Sequence, residues 1–413
     1  MFANRSFNSS SREPLPGAAI FVPQADSIGA VAVIRSLGQN GFKVHAASHK
    51  VGALGCASTF ATASYLCPTY EDPKYLPWLR DLILRNKIVA IIPSEGFLLA
   101  IRNCFSEFSS LMAISKESEI VYGCLSKVWV FDQFLRSKDA RLSQHIPRTT
   151  VITQPSEFDN IDFHEWSLPF FIKGDGFYAK KGDQALVQKV DSILDARKAA
   201  VQALCIYDKV LIQDYCSGVK ATVNLLLVSG NILAESMVLA RHENPHTGGL
   251  TTLRHSWWQE SIYEDAVLRI KALNWNGPAM LEYKWDQAAQ CFTFIELNAR
   301  YWAALNLDIL AGLHFPVIQM RSFLQKVLLE KPQRLTRSIT VRYTFPADFG
   351  YLVSKLKDPK ITFVNKLKSL LGFFLYFLHP GIRSDLNYPG DRQLYWLGLK
   401  NFLLEDINRV KKN

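Results

Sequence analysis

No two cysteines of this sequence form a C-x-x-C pair. The seven that occur (Cys56, Cys67, Cys104, Cys124, Cys205, Cys216 and Cys291) are scattered and odd in number, and read as reduced, structural thiols in a cytosol. Nor does any apolar run in the basic C-terminal stretch approach the roughly 20 residues of a membrane span, Leu370 to Leu378 being far too short. Residues 1–16 are polar, rich in Ser and Asn, and lack the apolar centre of a secretory signal, so they read as a disordered leader. The turn after the first apolar strand, PQADSIGA, has no G-x-G-x-x-G, which argues against a dinucleotide cofactor and an oxidoreductase. G-x-x-x-x-G-K-[ST] is absent as well, which removes a Walker A loop. No internal repeat or long low-complexity tract is evident, and no nucleic-acid partner is expected.

What remains is a folded chain with material for two or three domains: 413 residues, 48% of them hydrophobic. Its net charge of +10 is unevenly placed. Residues 331–413 hold 15 Lys and Arg against 6 Asp and Glu, so +9 lies in the last fifth. Within it, KLKSLLGFFLYFLHPGIR (366–383) has two readings. The first is a buried helix packed on the main body with its lysines solvated. The second is an interfacial or polyanion-binding helix.

GAAIFVP (17–23) reads as a buried strand, Ser27 to Asn40 as a helix and FKVHAAS (42–48) as a second strand. VAIIPSEG (89–96) reads as a further parallel strand ending in polar residues, where the ligand loops of open α/β sheets sit. Residues 17–115 are therefore expected to be Rossmann-like, with a second domain over 116–325 and a basic region over 326–413. SLPFFIKGDGFYAKKGD brings Lys173, Lys180 and Lys181 together with Gly174, Gly176 and Gly182. A glycine-containing turn of this kind lets backbone N–H groups and lysines approach phosphates, although a plain basic hairpin fits it equally. KVLIQDYCSG (209–218) is a buried strand ending in polar residues, and ATVNLLLVSGNILAESMVL (221–239) is a hairpin. ARHENPHTGGLTTLRHS (240–256) is a long polar loop whose Arg241 and Arg254 bracket Gly248-Gly249. It reads as a clasp for phosphate or carboxylate oxygens or as a solvated loop.

FTFIELNARYWAAL (292–305) places Phe292, Phe294, Glu296, Asn298 and Arg300 on one face of a strand. AMLEYKWD (279–286) likewise aligns Met280, Glu282, Lys284 and Asp286. A hairpin closed by Ala288, Ala289 and Gln290 sets Glu282 directly across from Glu296. Facing carboxylates are destabilising unless solvated or bridged by a cation, and a hard divalent ion with Asn298 as a further oxygen donor suits them. Arg300 shares that face and can stabilise a transferring phosphoryl group or a carboxylate. The plainer alternative is an exposed polar face with ion pairs to Lys284.

The E-x-N-x-R strand and the acid of LEYKWD resemble the metal-binding end of the ATP-grasp superfamily, especially its carbamoyl-phosphate-synthase-like carboxylate–amine ligases. PFFIKGDG resembles that family's phosphate-contacting lysine strand, VLIQDYCSG its hinge strand beside adenine, and RHENPHTGG with Arg254 its arginine-bearing loop. The similarity runs from about Gly17 to Leu324. It implies an α/β fold (α+β ATP-grasp) with a Rossmann-like pre-grasp domain, a two-lobed ATP-grasp domain and a small, basic, largely helical C-terminal region. By this resemblance Lys127, Lys173 and Gly176 bind ATP phosphates and Gln213, Asp214 and Cys216 border adenine. Glu282, Glu296 and Asn298 hold one or two Mg²⁺, with Mn²⁺ as the alternative ion. Arg241, Arg254 and Arg300 steady the reacting phosphoryl group. One departure is that Val219, Lys220 and Ala221 stand where many members carry an acid facing the ribose.

The implied activity is ATP-dependent ligation of an unidentified carboxylate and amine through an acyl phosphate, in glycan, cell-envelope or secondary-metabolite biosynthesis. The alternative is an inactive ATP-binding regulator or scaffold. A cytoplasmic location is expected, with residues 331–413 as a candidate for peripheral contact with an anionic membrane or glycan. His164, His242, His246 and His255 read as loop polar residues, and Trp257-Trp258 first as core and second as an acceptor-pocket wall.

Overall fold

The computed structural model describes residues 17–166, 168–180, 186–326 and 329–410. The expected leader, Lys181 and Gly182 lie outside the described residues.

Short apolar strands open the chain: β1 (Ala19–Val22), β2 (Lys43–Ser48), β3 (Ala63–Leu66) and β4 (Ile88–Ile91). They form a parallel sheet in the order β3-β2-β1-β4. The intervening helix Ile28–Gly38 starts where the Ser27 hydroxyl accepts from the Ala30 N–H, and buries an almost continuous run from Gly29 to Leu37. β4 is shorter than VAIIPSEG suggested, because Ser94 caps a new helix, Glu95–Ala100, and so turns Glu95 to the C-terminal edge of the sheet.

A second, antiparallel sheet holds β5 (Thr149–Ile152), β6 (Phe170–Gly174), β7 (Val187–Val190) and β8 (Val210–Asp214) in the order β5-β8-β6-β7. Helix Ile193–Leu204 covers it, its buried residues Ala196, Ala199, Ala200, Ala203 and Leu204 recurring at helical spacing.

The largest sheet contains β9 (Val219–Val228), β10 (Asn231–Asn244), β11 (Leu250–Ser256), β12 (Gly277–Asp286), β13 (Cys291–Asn298), β14 (Gln333–Arg334), β15 (Thr340–Arg342) and β16 (Ile382–Ser384). Its order is β13-β12-β9-β10-β11-β15-β16, with β14 on β10. The expected β9–β10 hairpin turns at Ser229-Gly230, both at positive φ, as a tight two-residue turn demands. Gly218, between β8 and β9, also has positive φ, and a Cβ there would strike the Trp285 carbonyl.

The basic C-terminal stretch is built into this body rather than appended to it. β15 pairs with β11 and β16 with β15. Asp391 accepts from the fully buried Arg35 (2.8 Å), from the Ser58 hydroxyl and from the Thr59 N–H. The helix expected over 366–383 is present as Phe363–Leu378, but of its residues only Phe373 is buried. The reading as a buried helix is therefore corrected: its apolar side faces outward.

Candidate active site

β12 and β13 pair so that Glu282 stands opposite Glu296. The turn between them is four residues, Gln287 to Gln290, not the expected three, and a bulge at Ile295 restores the register. The bulge also separates residues expected to share a face. Phe294 pairs with Tyr283 and packs on Phe131 and Phe134, while Glu296 and Asn298 point to the other side.

Three lysines surround the two carboxylates. Lys127 Nζ lies 2.7 Å from Glu296 Oε2, and Lys220 Nζ lies 3.1 Å from Glu282 Oε1 and 2.6 Å from the Gly249 carbonyl. Lys173, buried at the end of β6, donates to Gln213 Oε1 on the neighbouring β8, and Gln213 in turn donates to Thr149 Oγ1 (2.9 Å). The Lys127 helix is fixed to the β6 loop by the buried Asp175, whose Oδ2 accepts from the Ser126 hydroxyl (2.7 Å) and the Val128 N–H (3.0 Å). Asn298 Nδ2 donates to Glu296 Oε1 (3.1 Å), Arg300 Nη2 donates to Asn298 Oδ1 (3.1 Å), and Arg300 Nε donates to Glu95 Oε2 (3.2 Å). Glu95 thus links the first sheet to the carboxylate strand.

This crowding sets the titration of the group. Burial raises the Glu282 carboxyl above its ordinary value, Lys220 opposing and the charge of Glu296 reinforcing. Burial acts the same way on Glu296, but the ammonium groups of Lys127 and Lys173 override it and hold that carboxyl far below the usual range. Burial pulls Lys173 down to about 8, with Glu296 opposing and Lys127 contributing. Glu282, Glu296 and the amide oxygen of Asn298 form an oxygen-only donor set, and a raised carboxyl beside a second carboxylate is a group that a divalent cation stabilises as the anion. The set fits Mg²⁺.

Three clefts lie in or near this cluster. One of about 360 Å³ is lined by Arg148, Asp214, Cys216, Lys284, Phe292 and Thr293. One of about 180 Å³ contains Lys220, Glu282, Glu296, Asn298 and Arg300. One of about 390 Å³ lies at the ends of β1 and β4, walled by Ser27, Gly29, Ser94, Glu95 and Arg300. Arg300 is common to the last two.

Lys127, Lys173, Gln213, Glu282, Glu296, Asn298 and Arg300 are thus brought together, and Asp214 and Cys216 line the adjoining cleft. Gly176 opens a short turn beside Glu95. Two arginines depart from expectation. Arg254 is only 1% exposed, and its guanidinium is bidentate to Asp385 (2.5 and 2.7 Å), with a further bond to the Ala304 carbonyl. Arg241 donates to His255 Nδ1 (3.2 Å), and strand alternation puts His255 on the face opposite Arg254. Lys180 donates to the Leu204 carbonyl (2.7 Å), at the end of a helix rather than in a phosphate turn.

The segment 240–256, expected as a long polar loop, is mostly the end of β10 and all of β11, and its His242 and His246 serve as ties. His242, on β10, bonds Asp348 (2.8 Å) and His246, in the turn after it, bonds Asp358 (2.9 Å), fastening this end of the hairpin to the C-terminal stretch. Trp257 packs on Trp285, and Trp258 on Tyr263 under the Arg334 guanidinium, both half-buried at the margin of the core. Sequence reasoning noticed Lys220 only as a departure and missed Asp175 and Glu95. The signal for Lys220 was its register: on β9 it stands opposite Lys284 of β12, a like-charge pair that needs acids beside it.

No protein-family model and no curated protein matches this sequence. Solved structures do match. The L-amino acid ligase from Bacillus licheniformis aligns with a TM-score of 0.59 at 12% identity, over 79% of this chain and 80% of that one. A biotin carboxylase–β,γ-ATP complex from Campylobacter jejuni gives 0.58 at 17%, over 76% and 72%. The N5-carboxyaminoimidazole synthetase from Staphylococcus aureus, complexed with ADP, gives 0.59 at 11%, over 80% and 83%. This chain shares the fold of these three structures.

Proposed function

We propose that the protein is an ATP-dependent carboxylate–amine ligase that activates its acid as an acyl phosphate. The observation that carries this reading is the Glu282–Glu296 pair, ringed by Lys127, Lys173 and Lys220 and set between two clefts. Proteins of this fold include an L-amino acid ligase and a synthetase crystallised with ADP.

In this reading the adenine lies against Gln213, Asp214 and Cys216, and the phosphates run past Lys173 and Lys127 toward Glu296. Glu282, Glu296 and Asn298 hold Mg²⁺, which when bound neutralises the phosphate oxygens and lowers the repulsion felt by an incoming carboxylate. The acid occupies the cleft beside Glu95 and Arg300. Its oxygen attacks the γ-phosphorus, the bond to the β-phosphate bridging oxygen breaks, and ADP leaves. The amine then attacks the acyl carbon and expels phosphate. Arg300, aligned by Asn298 and Glu95, sits where charge moves between the two clefts, and the chain's contribution is chiefly position and charge. We place the reaction in the cytoplasm, where ATP and reduced thiols coexist.

Incubation with Mg-ATP, pooled carboxylates and hydroxylamine tests the reading. Hydroxamate and ADP from wild type, and neither from Glu296→Gln, are expected. ATP binding with no ADP or hydroxamate from any pool would favour a nucleotide-binding regulator, a second reading supported by the commitment of Arg254 to Asp385.

A further inference from the structure

The helix Phe363–Leu378 is amphipathic, yet its apolar side does not meet the protein. At about 100° per residue, Phe363, Leu367, Leu371, Phe374, Leu375 and Leu378 fall within an arc of about 120°. All six are exposed, Phe363 by 79%, Phe374 by 59% and Leu378 by 80%. The opposite side holds the helix in place. Phe373 packs on Phe345 and Phe349, and its carbonyl accepts from Arg342 Nη1 (3.0 Å). An anchored helix that presents a continuous apolar stripe is not explained by the scattered apolar exposure normal for protein surfaces.

Charge indicates what covers the stripe. On the same wheel Lys366 and Lys368 stand at its two borders, and Lys355, Lys357 and Lys360 precede it in the chain. From Phe349 to Ser384 Asp358 alone is acidic, and it is bonded to His246. A second copy docked through this stripe about a two-fold axis would bring each lysine set against itself. A surface of negative headgroups over hydrocarbon matches both parts. Sixteen residues at 1.5 Å each reach about 24 Å, too short to span and suited to lying in the plane. No single described helix is long and apolar enough to cross a membrane.

We propose that this helix docks the protein on an anionic phospholipid bilayer, the stripe entering the acyl boundary and Lys366 and Lys368 lying among the headgroups. The inference is independent of the ligase reading. Flotation of the full chain with vesicles of pure phosphatidylcholine, and with vesicles containing about a third phosphatidylserine, tests it. Binding to the anionic vesicles that weakens with salt is expected. Leu371→Asp/Leu375→Asp should abolish flotation while leaving the thermal unfolding midpoint unchanged, since both side chains already face solvent. Lys366→Gln/Lys368→Gln should weaken partitioning about 30-fold, from the usual contribution of a lysine near an anionic surface. Failure of the wild type to float, or flotation of the double aspartate variant equal to wild type, would overturn the proposal. So would a wild-type dimer that the aspartates dissociate without any lipid binding, because the stripe would then be a protein interface.

Discussion

Arg254 and Asp385 form a fully buried bidentate pair that joins β11 to the segment after β16. Arg35 makes a second buried link, through Nε to Asp391 (2.8 Å). The C-terminal stretch therefore closes the fold from outside the region of family resemblance. Removing one member of a buried pair strands the other charge, and the effect is typically about 3–5 kcal/mol. Asp385→Ala should lower the denaturation free energy by that amount, measured by urea unfolding. Arg254→Met combined with Asp385→Leu should recover much of it. Were Arg254 instead chiefly a phosphate ligand, Asp385→Ala would leave stability nearly intact and alter ATP turnover alone.

Glu296 is the residue on which most of the site converges, through Lys127, Asn298 and the register with Glu282. Glu296→Gln keeps the shape and removes the charge. Turnover of ATP in the presence of substrate should fall on the order of 10²-fold or more, the scale for losing a preorganised electrostatic group. A circular-dichroism spectrum like that of wild type would locate the loss in chemistry. A loss of less than about threefold would remove Glu296 from the proposed metal site.

Lys173 carries the pH dependence. Its folded value of about 8, lowered by burial, lies below its ordinary value of 10.5. Between the two the unfolded chain holds a proton that the folded chain has released, so this group makes stability rise with pH across that window. Phosphate binding needs the charged amine, so nucleotide affinity should fall above pH 8 and binding there should take up a proton. Calorimetry at pH 8.5 in buffers of different ionisation enthalpy measures that uptake. Lys173→Arg, permanently charged, should bind without it. Equal proton uptake in both proteins would assign the titration elsewhere.

How much of this could be read from the residues differs by element. Three strands of the parallel opening sheet were legible as short apolar runs, with a helical pattern between the first two, whereas β3, with two of its four residues exposed, gave no such signal. The β9–β10 hairpin was legible because Ser229-Gly230 marks its turn. The pairing of Glu282 with Glu296 was legible from the period-2 alternation, but only because two errors cancelled. A four-residue turn replaced one of three, and the bulge at Ile295, which no side-chain pattern announces, restored the register. The same bulge moved Phe294 to the Phe131 and Phe134 side. Arg254 was misjudged for another reason. Its partner Asp385 lies 131 residues further on, and a guanidinium in a polar sequence looks the same whether it awaits phosphate or is already paired. The stripe on Phe363–Leu378 shows the limit of periodicity: the pattern gives the helix and its two sides, while the packing of Phe373 decides which side faces inward.

Lys220 makes the site distinctive, since it holds Glu282 where an acid facing the ribose was looked for. A lysine 3.1 Å from one of the two carboxylates in the candidate metal site competes with the ion for that carboxylate, while its charge also draws phosphate toward the same place. The two roles separate on replacement. Lys220→Met should lower the Mg²⁺ concentration needed for half-maximal turnover and raise the KM for ATP, each on the order of tenfold, equivalent to about 1.4 kcal/mol. Steady-state titration of Mg²⁺ at saturating ATP, then of ATP at saturating Mg²⁺, reads the two effects apart. If both constants move in the same direction, Lys220 acts by shaping the cleft, and the opposition of its charge to the metal plays no part.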